Sequence, residues 1–307
     1  MTDGTDGTTG GLFPQVAAAV GVGTGDLPAY DPRHDLEAAR ERARAEAATE
    51  RREDVAMVVD VDAGGVPCRL YLPADAHAGV VVHLHGGGFV FHDVEVHDAS
   101  ARRLANRTRA AVLSVDYRRP PEHPFPAAPD DVDAVVRWLA GGADGHDLAG
   151  PAYVHGDSAG GNLALVAALR NPGFFAAVAL VYPFLDPTAS FDSYRDAVGF
   201  DPREAAWYWE QYAGTPENLE NPDLAPLRST RLGTLPPTLV VSAEADPLRD
   251  EAEELARRMA AAGVAVTATR YLGQVHGFWR HPDAFDAAEP LMRQVAGFLL
   301  LHGGLGD

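Results

Sequence analysis

The chain has no lysine and only one cysteine. All 25 basic residues among its 307 are arginine. The single cysteine, Cys68, excludes a disulfide within the chain and a cysteine-based metal cluster, and it is predicted to be a small buried strand residue. No apolar run approaches the roughly 18 residues of a membrane span. Residues 1–10 have no basic region followed by an apolar core, so the sequence predicts a cytoplasmic protein with a disordered segment 1–10 and no signal peptide.

The charge balance of the sequence also disfavours two classes of partner. The formal net charge is −19, and such an acidic surface disfavours nucleic acid and anionic membranes. A helix-opening Gly-x-Gly-x-x-Gly and a glycine loop followed by Lys-Ser/Thr are both absent from the sequence. We therefore expect no cofactor and no metal, and a small molecule as the partner.

Length and periodicity predict one large α/β domain with a lid. Apolar strands alternate with helical segments, which is typical of a mostly parallel sheet covered by helices on both faces. The clearest strands are at 111–115 and 177–181, and the clearest helices at 132–139 and 248–262. Residues 55–61 and 66–72 are predicted to form an antiparallel hairpin at the start of the sheet.

Ser158 lies between glycines at a strand-to-helix junction. The segment Gly156-Asp157-Ser158-Ala159-Gly160 follows a predicted strand at 152–155 and precedes a helix from Asn162. A serine on such a tight turn projects its hydroxyl above the sheet, and the next helix directs its N–H groups toward a developing anion. Because the pattern is short and also occurs in ordinary turns, it predicts a nucleophile only if a base, an orienting acid and oxyanion donors accompany it.

A glycine-rich loop can supply the oxyanion donors. The strand 79–84 runs into His85-Gly86-Gly87-Gly88-Phe89, where bare backbone can approach a ligand. With the N–H of Ala159, these N–H groups would form an oxyanion hole. A flexible turn is the alternative, whereas a phosphate cradle is disfavoured by the missing motifs. His83 and His85 are interpreted as supports of this loop.

An acid follows the strand 237–242. Asp246 lies beyond the end of that strand, where a triad acid is expected, and its alternative role is to cap the helix that follows. Glu244 is the nearest competitor. Asp250 and Glu251 fall inside the helix and are predicted to lie on its solvated face.

The candidate base follows the strand 264–271. His276 is one of 12 histidines, but it alone follows a strand after both Ser158 and Asp246 in the chain. The order Ser, Asp, His is that of an α/β-hydrolase and differs from the chymotrypsin and subtilisin orders. His123 is interpreted as part of a proline-rich loop.

These parts together resemble the bacterial hormone-sensitive-lipase-like esterases of the α/β-hydrolase superfamily. The resemblance covers roughly residues 55–302 and is carried by the segments 83–89, 116–118, 121–128, 156–162, 246–251 and 276–278. It implies Ser158 as nucleophile, Asp246 as acid, His276 as base, and the N–H groups of Gly87, Gly88 and Ala159 as oxyanion donors. Arg119, in place of a small apolar residue, and Pro129 depart from the family pattern and weaken any inference about pocket shape.

The resemblance also implies a domain organisation. An N-terminal cap segment is expected at 11–50 and a catalytic domain at 51–307, with a helical cap insertion near 186–235. A homodimer is plausible on the same grounds. The presence of His276 argues against a relative that has lost its base and become a receptor.

Aromatic residues are concentrated in the expected cap. Nine of the 31 residues from Tyr182 to Tyr212 are aromatic, against 8% of the whole chain. They could form the core of a small subdomain or line a pocket. The pocket candidates are Phe89, Tyr182, Phe191, Trp207, Trp209 and Phe278.

The sequence thus predicts a carboxylesterase acting on small short-acyl esters through an acyl-enzyme. Two alternatives stay open. One is an amidase, formamidase or deacetylase of a specific metabolite with the same triad, and the other is a non-catalytic small-molecule receptor on the same fold.

Overall fold

A central sheet of eight strands organises the protein. The computed structural model describes residues 12–20, 27–77, 79–196 and 201–303. The expected disorder of residues 1–10 lies outside the described residues. In chain order the strands are β1 (Met57–Asp62), β2 (Pro67–Leu72), β3 (Val80–Leu84), β4 (Ala111–Val115), β5 (Ala152–Asp157), β6 (Phe175–Val181), β7 (Thr238–Ala243) and β8 (Val266–Tyr271).

The sheet is mostly parallel, as predicted. Its strand order is β1-β2-β4-β3-β5-β6-β7-β8, with antiparallel pairing only from β1 to β2 and from β2 to β4. The predicted hairpin is confirmed, since Met57 pairs with Leu72 and Asp62 with Pro67. Parallel pairing of β3, β5, β6, β7 and β8 brings their carboxyl ends to one edge of the sheet. This edge is where ligands bind in open α/β sheets.

Helices cover both faces. In chain order they are α1 (Pro14–Val20), α2 (Leu36–Ala47), α3 (Asp98–Thr108), α4 (Ala127–Ala140), α5 (Ala159–Arg170), α6 (Ser193–Asp196), α7 (Pro202–Ala213), α8 (Arg249–Ala261) and α9 (Ala288–His302). Alternate residues of β3 enter two different cores: Val80 and Val82 pack with residues of α4, α5 and α8, whereas Val81 packs with residues of α3 and α9. The period of two along a strand therefore places one core on each face.

Two helices differ from expectation where the chain meets the site. Helix α5 begins at Ala159, three residues earlier than predicted, because its first turn follows directly on Ser158. The prediction that Glu251 lies on a solvated face is wrong, since this side chain is fully buried. Its carboxylate accepts hydrogen bonds from the N–H groups of Leu185 (2.8 Å) and Asp186 (3.1 Å). These bonds tie α8 to the chain that leaves β6. None of the helices in the described ranges is both long and apolar enough to cross a bilayer.

Candidate active site

Ser158 lies on a strained turn between β5 and α5. Its φ and ψ angles are 54° and −121°, a region that non-glycine residues seldom occupy. The flanking chain packs closely around it: a Cβ on Gly160 would lie 1.9 Å from the carbonyl oxygen of Leu84. Glycine is therefore required at this position by close approach of the two backbones, which explains one glycine of the sequence pattern.

A chain of hydrogen bonds joins the three residues that the sequence singled out. His276 Nε2 lies 2.9 Å from Ser158 Oγ, and His276 Nδ1 lies 2.8 Å from Asp246 Oδ2. With Nδ1 protonated and donating to Asp246, Nε2 carries the lone pair that can accept the Ser158 proton. The two bonds bring together loops that follow β5, β7 and β8, although 118 positions separate Ser158 from His276 in the chain.

Asp246 lies two residues before Leu248, the N-cap of α8, and no side chain among the described residues caps this helix, so the alternative role of Asp246 as its cap is wrong. Its second oxygen, Oδ1, accepts the N–H of Leu248 at 2.8 Å, just before α8 begins. The competitor Glu244 is engaged elsewhere, because its Oε2 accepts the N–H of Gly273 at 2.7 Å. The structure therefore brings Asp246, and not Glu244, to the imidazole.

The pKa of His276 is raised above its ordinary value. Burial acts to lower this pKa, but the adjacent Asp246 carboxylate outweighs the effect through its charge and its hydrogen bond, and Asp157 adds to it. An imidazole with a raised pKa is a stronger base and holds a proton more readily.

The glycine loop lies beside the serine. The N–H groups of Gly87, Gly88 and Ala159 donate no hydrogen bond to any described residue, so they are available to a ligand. Gly87 has a φ of 116°, and a Cβ there would lie 2.7 Å from the His92 nitrogen. Only glycine fits both conditions.

Neighbouring side chains hold the glycine loop in place. Asp157 Oδ1 accepts the N–H of Gly86 at 3.0 Å. The hydroxyl of Tyr117 donates to the carbonyl of His85 at 2.7 Å, and the Tyr117 ring stacks on the His85 imidazole. His85 thus contacts the loop, as the sequence suggested.

The cleft above Ser158 is small and largely apolar. It encloses about 190 Å³, and its walls are formed by Gly87, Gly88, Phe91, His92, Asp157, Ser158, Phe184, Tyr208, Leu248, His276, Gly277 and Arg280. Ala159 is fully buried behind this wall, so that its side chain is hidden at the start of α5.

None of the six aromatic pocket candidates lines the cleft. Phe89 stacks on Tyr212 at 3.8 Å, and Trp209 packs on Phe184 at 4.4 Å, both within the core. Tyr182 and Phe278 are fully buried, with the Tyr182 ring 4.5 Å from the His276 ring. Phe191 packs against the core and Trp207 lies beside Phe91. We therefore replace these candidates by Phe91, Phe184 and Tyr208.

Helical phase explains this difference. Successive residues of α7 point in directions about 100° apart, so that Trp209 enters the core while Tyr208 packs over the glycine loop. A Cβ on Gly88 would lie 2.6 Å from the Tyr208 ring. Aromatic enrichment located the right helix but could not select the face. The sequence analysis also missed His92 and Arg280, whose only signal was proximity to the glycine loop and to His276.

One buried group in the described part of the chain has the composition of a metal site. His83, His97 and Asp157 offer ligand atoms that all lie within 4.8 Å of one another. Burial, the neighbouring imidazoles and the Arg280 guanidinium lower the pKa of His83 and His97 well below its ordinary value. The same positive charge opposes a metal cation, and Asp157 already accepts the Gly86 N–H. We therefore assign no metal to this group.

Several known proteins are similar to this chain in sequence and in fold. A family described as having the alpha/beta hydrolase fold matches residues 81–280. Esterase LipI of Mycobacterium tuberculosis is 37% identical over 266 residues, which cover 81% of this chain and 82% of LipI. The crystal structure of a hyperthermophilic esterase from the archaeon Pyrobaculum calidifontis is 34% identical, with a TM-score of 0.84 and coverage of 94% of this chain and 98% of that one.

A further solved structure specifies the branch of the superfamily. An esterase described as belonging to the bacterial hormone-sensitive lipase family has a TM-score of 0.83 and 27% identity, covering 96% of this chain and 99% of that one. These matches confirm the resemblance carried by the motifs. The chain belongs to the hormone-sensitive-lipase-like family of carboxylic ester hydrolases, built on the α/β-hydrolase fold.

Proposed function

We propose that the protein is a serine carboxylesterase for small short-acyl esters, with Ser158 as nucleophile, His276 as base and Asp246 as acid. The observation that carries this proposal is the unbroken hydrogen-bond chain from Asp246 through His276 to Ser158, at 2.8 and 2.9 Å, on the wall of a cleft. A nucleophile, its base and the group that orients the base are the parts that acyl transfer needs.

The reaction proceeds in two steps. Nε2 of His276 takes the Ser158 proton while Oγ attacks the ester carbonyl. The oxyanion that forms accepts hydrogen bonds from Gly87, Gly88 and Ala159, whose N–H groups have no other partner among the described residues. His276 then gives its proton to the leaving alcohol. Water repeats the sequence on the acyl-enzyme, with Asp246 holding the imidazole in the required tautomer throughout.

The size of the cleft supports a small substrate. Its volume of about 190 Å³ is below the roughly 300–1,000 Å³ of sites that hold drug-sized ligands. Phe91, Phe184 and Tyr208 enclose the cleft, so a long acyl chain would have to displace packed aromatic rings. We therefore expect turnover to fall with chain length.

Contacts between two distant segments support a cap over the cleft. The N–H of Ala29 donates to Glu204 at 3.0 Å, and the Tyr30 hydroxyl donates to Asp201 at 2.9 Å. Phe91, on the glycine-loop side, lies 5.8 Å from the Tyr208 ring. We infer that residues 27–50 and α7 together form this cap. Two parts of the expected cap ranges, 11–50 and 186–235, pack into the cores beside the sheet. Val16 of α1 packs in the core that contains α9, and Leu224 and Leu232 pack in the core that contains α5.

Hydrolysis of p-nitrophenyl esters from acetyl to dodecanoyl tests the proposal. We expect activity that peaks at short chains and falls about 10⁴-fold or more in Ser158→Ala. Ser190→Ala is the matched control, because Ser190 is exposed and does not line the cleft. Near-normal turnover in Ser158→Ala would refute the assignment of the nucleophile.

Covalent labelling by an organophosphate separates the alternatives. A mass increase on Ser158 without ester turnover would favour the amidase or deacetylase, since the nucleophile would be active but the substrate wrong. Neither labelling nor turnover would favour the non-catalytic receptor.

A further inference from the structure

Arg280 places a positive charge on the wall of the catalytic cleft. It ends the short turn Phe278–Arg280 that follows His276, and its side chain lines the same cleft as Ser158 and Gly87. It also lines a neighbouring cleft of about 430 Å³, which Arg51 and Arg107 border as well. The guanidinium is therefore part of the wall that separates the two clefts.

This charge is less neutralised than those of most arginines in the described part of the chain. The carboxylate paired with Arg280 belongs to Glu50, and its Oε1 is 3.7 Å away, beyond hydrogen-bond distance. By contrast, Arg107 and Arg118 each have a carboxylate oxygen at 2.7 Å. Arg280 is 9% exposed, and its Nε–H has no hydrogen-bond partner among the described residues. A nearly buried cation of this kind is unfavourable unless an anion approaches it.

The guanidinium is held rigidly. Its Nη2 donates to the carbonyl of Val96 at 3.1 Å, and its Nη1 contacts His92 Nδ1 at 3.4 Å. Arg103, itself 6% exposed, donates to the carbonyl of Arg280 at 2.7 Å and fixes the backbone. These bonds use only part of the five N–H donors of a guanidinium. Because the group is already ordered, binding an anion costs little additional side-chain entropy.

The surroundings of Arg280 leave room for a substrate anion. Asp157 is the other charged wall residue. Burial raises its pKa and the Arg280 charge acts to lower it, but its Oδ1 accepts the Gly86 N–H and no hydrogen bond joins the two side chains among the described residues. The net charge of −19 repels anions at long range, yet salt screens such repulsion beyond about 8–10 Å, so the local guanidinium decides binding inside the cleft.

We propose that Arg280 is a specificity-determining residue, and that the natural substrates are short esters that carry a carboxylate close to the scissile bond. This inference rests on the proposed esterase function and names its substrate class. The Nε–H of Arg280 is buried, so the carboxylate would accept charge-assisted hydrogen bonds from the remaining Nη–H donors while Ser158 attacks the ester carbonyl.

Two matched ester pairs test the inference by pH-stat titration. Monomethyl glutarate is compared with methyl valerate for a charge on the acyl side, and 4-acetoxybutanoate with butyl acetate for a charge on the alcohol side. We expect the wild type to have the higher kcat/KM for the anion of at least one pair. Arg280→Gln should lower kcat/KM for that anion by about tenfold to a hundredfold, mainly through KM, with less than a threefold change for the neutral ester.

Two control variants sharpen the test. Arg280→Lys keeps the charge and should retain part of the preference for the anion. Arg51→Gln removes an exposed charge from the neighbouring cleft only and should leave both pairs unchanged. Active-site titration with an organophosphate normalises every rate to folded enzyme.

Each outcome decides. An equal loss on anionic and neutral esters in Arg280→Gln would overturn the inference and assign the charge to general stabilisation of the oxyanion. Hydrolysis of neutral esters with no preference for either anion would overturn it while leaving the proposed function standing. If the wild type hydrolyses none of the four esters, the inference fails; the proposed function fails with it only if the p-nitrophenyl esters are not hydrolysed either.

Discussion

Two sets of imidazoles lie near the same edge of the sheet and differ in their partners. His276 is bonded to the Asp246 carboxylate at 2.8 Å, and its pKa is raised. His83 and His155, on adjacent strands, face each other with their Nδ1 atoms 3.0 Å apart, and no carboxylate among the described residues is hydrogen-bonded to either ring. Burial lowers the pKa of His155 to about 3.

The comparison shows that burial and position do not by themselves make a histidine a base. Both environments remove water, which disfavours the imidazolium ion. Only the carboxylate of Asp246 reverses that effect and also selects the tautomer. The buried set, which includes His85 and His97, instead fills space behind the glycine loop as neutral rings. Four predictions test this division, from the largest expected effect to the smallest.

Removing the paired imidazole should nearly abolish activity. We expect His276→Ala to lower kcat about 10⁴-fold or more, because Ser158 then has no base. The measurement is steady-state hydrolysis of a short p-nitrophenyl ester. His123→Ala is the control, since His123 is exposed and should be replaceable. A loss of less than tenfold in His276→Ala would contradict the division.

Removing only the carboxylate charge should make His276 resemble the buried set. We expect Asp246→Asn to lower kcat about 10³–10⁴-fold, because the imidazole loses its orientation and its charge stabilisation. In the wild type, activity rises with pH as His276 loses its proton, and the raised pKa places that rise above the ordinary histidine value. In the variant the rise should move to lower pH. A pH–rate profile that keeps its wild-type position would show that Asp246 does not set this pKa.

Gly87 lies close to the buried His92 on one side and lines the cleft on the other. Gly87→Ala should lower kcat about 10²–10³-fold, because a Cβ would displace the loop and misplace an oxyanion donor. The control Gly263→Ala has a comparable positive φ of 85° but open space around it and lies away from the cleft. Similar losses of kcat in the two variants would point to backbone strain alone.

The buried set should affect stability rather than rate. When folding lowers the pKa of a histidine, the fold loses stability as the pH falls below the pKa of that histidine in the unfolded chain, near 6.5. Below this pH the unfolded chain binds the proton and the folded protein does not. His85 and His155 both have pKa values of about 3. Each should therefore lower the free energy of unfolding by roughly 1 kcal/mol per pH unit below pH 6.

Urea unfolding at pH 8 and at pH 5 measures this dependence. Carboxyl groups whose pKa is raised by burial, such as Glu251, also contribute to the change, but they are present in both proteins, so the difference between wild type and variant isolates His155. The variant His155→Phe should show a smaller fall in the free energy of unfolding than the wild type, by about one histidine's share. An equal fall in both proteins would mean that His155 is protonated in the folded state.

The strands and the chain order of the proposed catalytic residues were predictable because they depend on local chemistry. Apolar runs ending in Gly156-Asp157-Ser158, Asp246 and His276 marked the carboxyl ends of strands, and the parallel sheet brought those ends to one edge. Glu251 could not be assigned from sequence, because a carboxylate inside a helix is normally solvated. It is buried here since two N–H groups of the chain after β6 converge on it.

By itself, the sequence determined which residues we propose as catalytic, since a serine hydrolase of this fold needs a serine, an acid and a histidine in that chain order. Only the tertiary structure decided which aromatic rings line the cleft. It also decided that Asp157 and Arg280 are the charged residues of the wall. Those outcomes depend on the helical phase of Tyr208 and on the packing of Arg280 against Val96 and His92. Such contacts join residues far apart in the chain, so no local pattern encodes them.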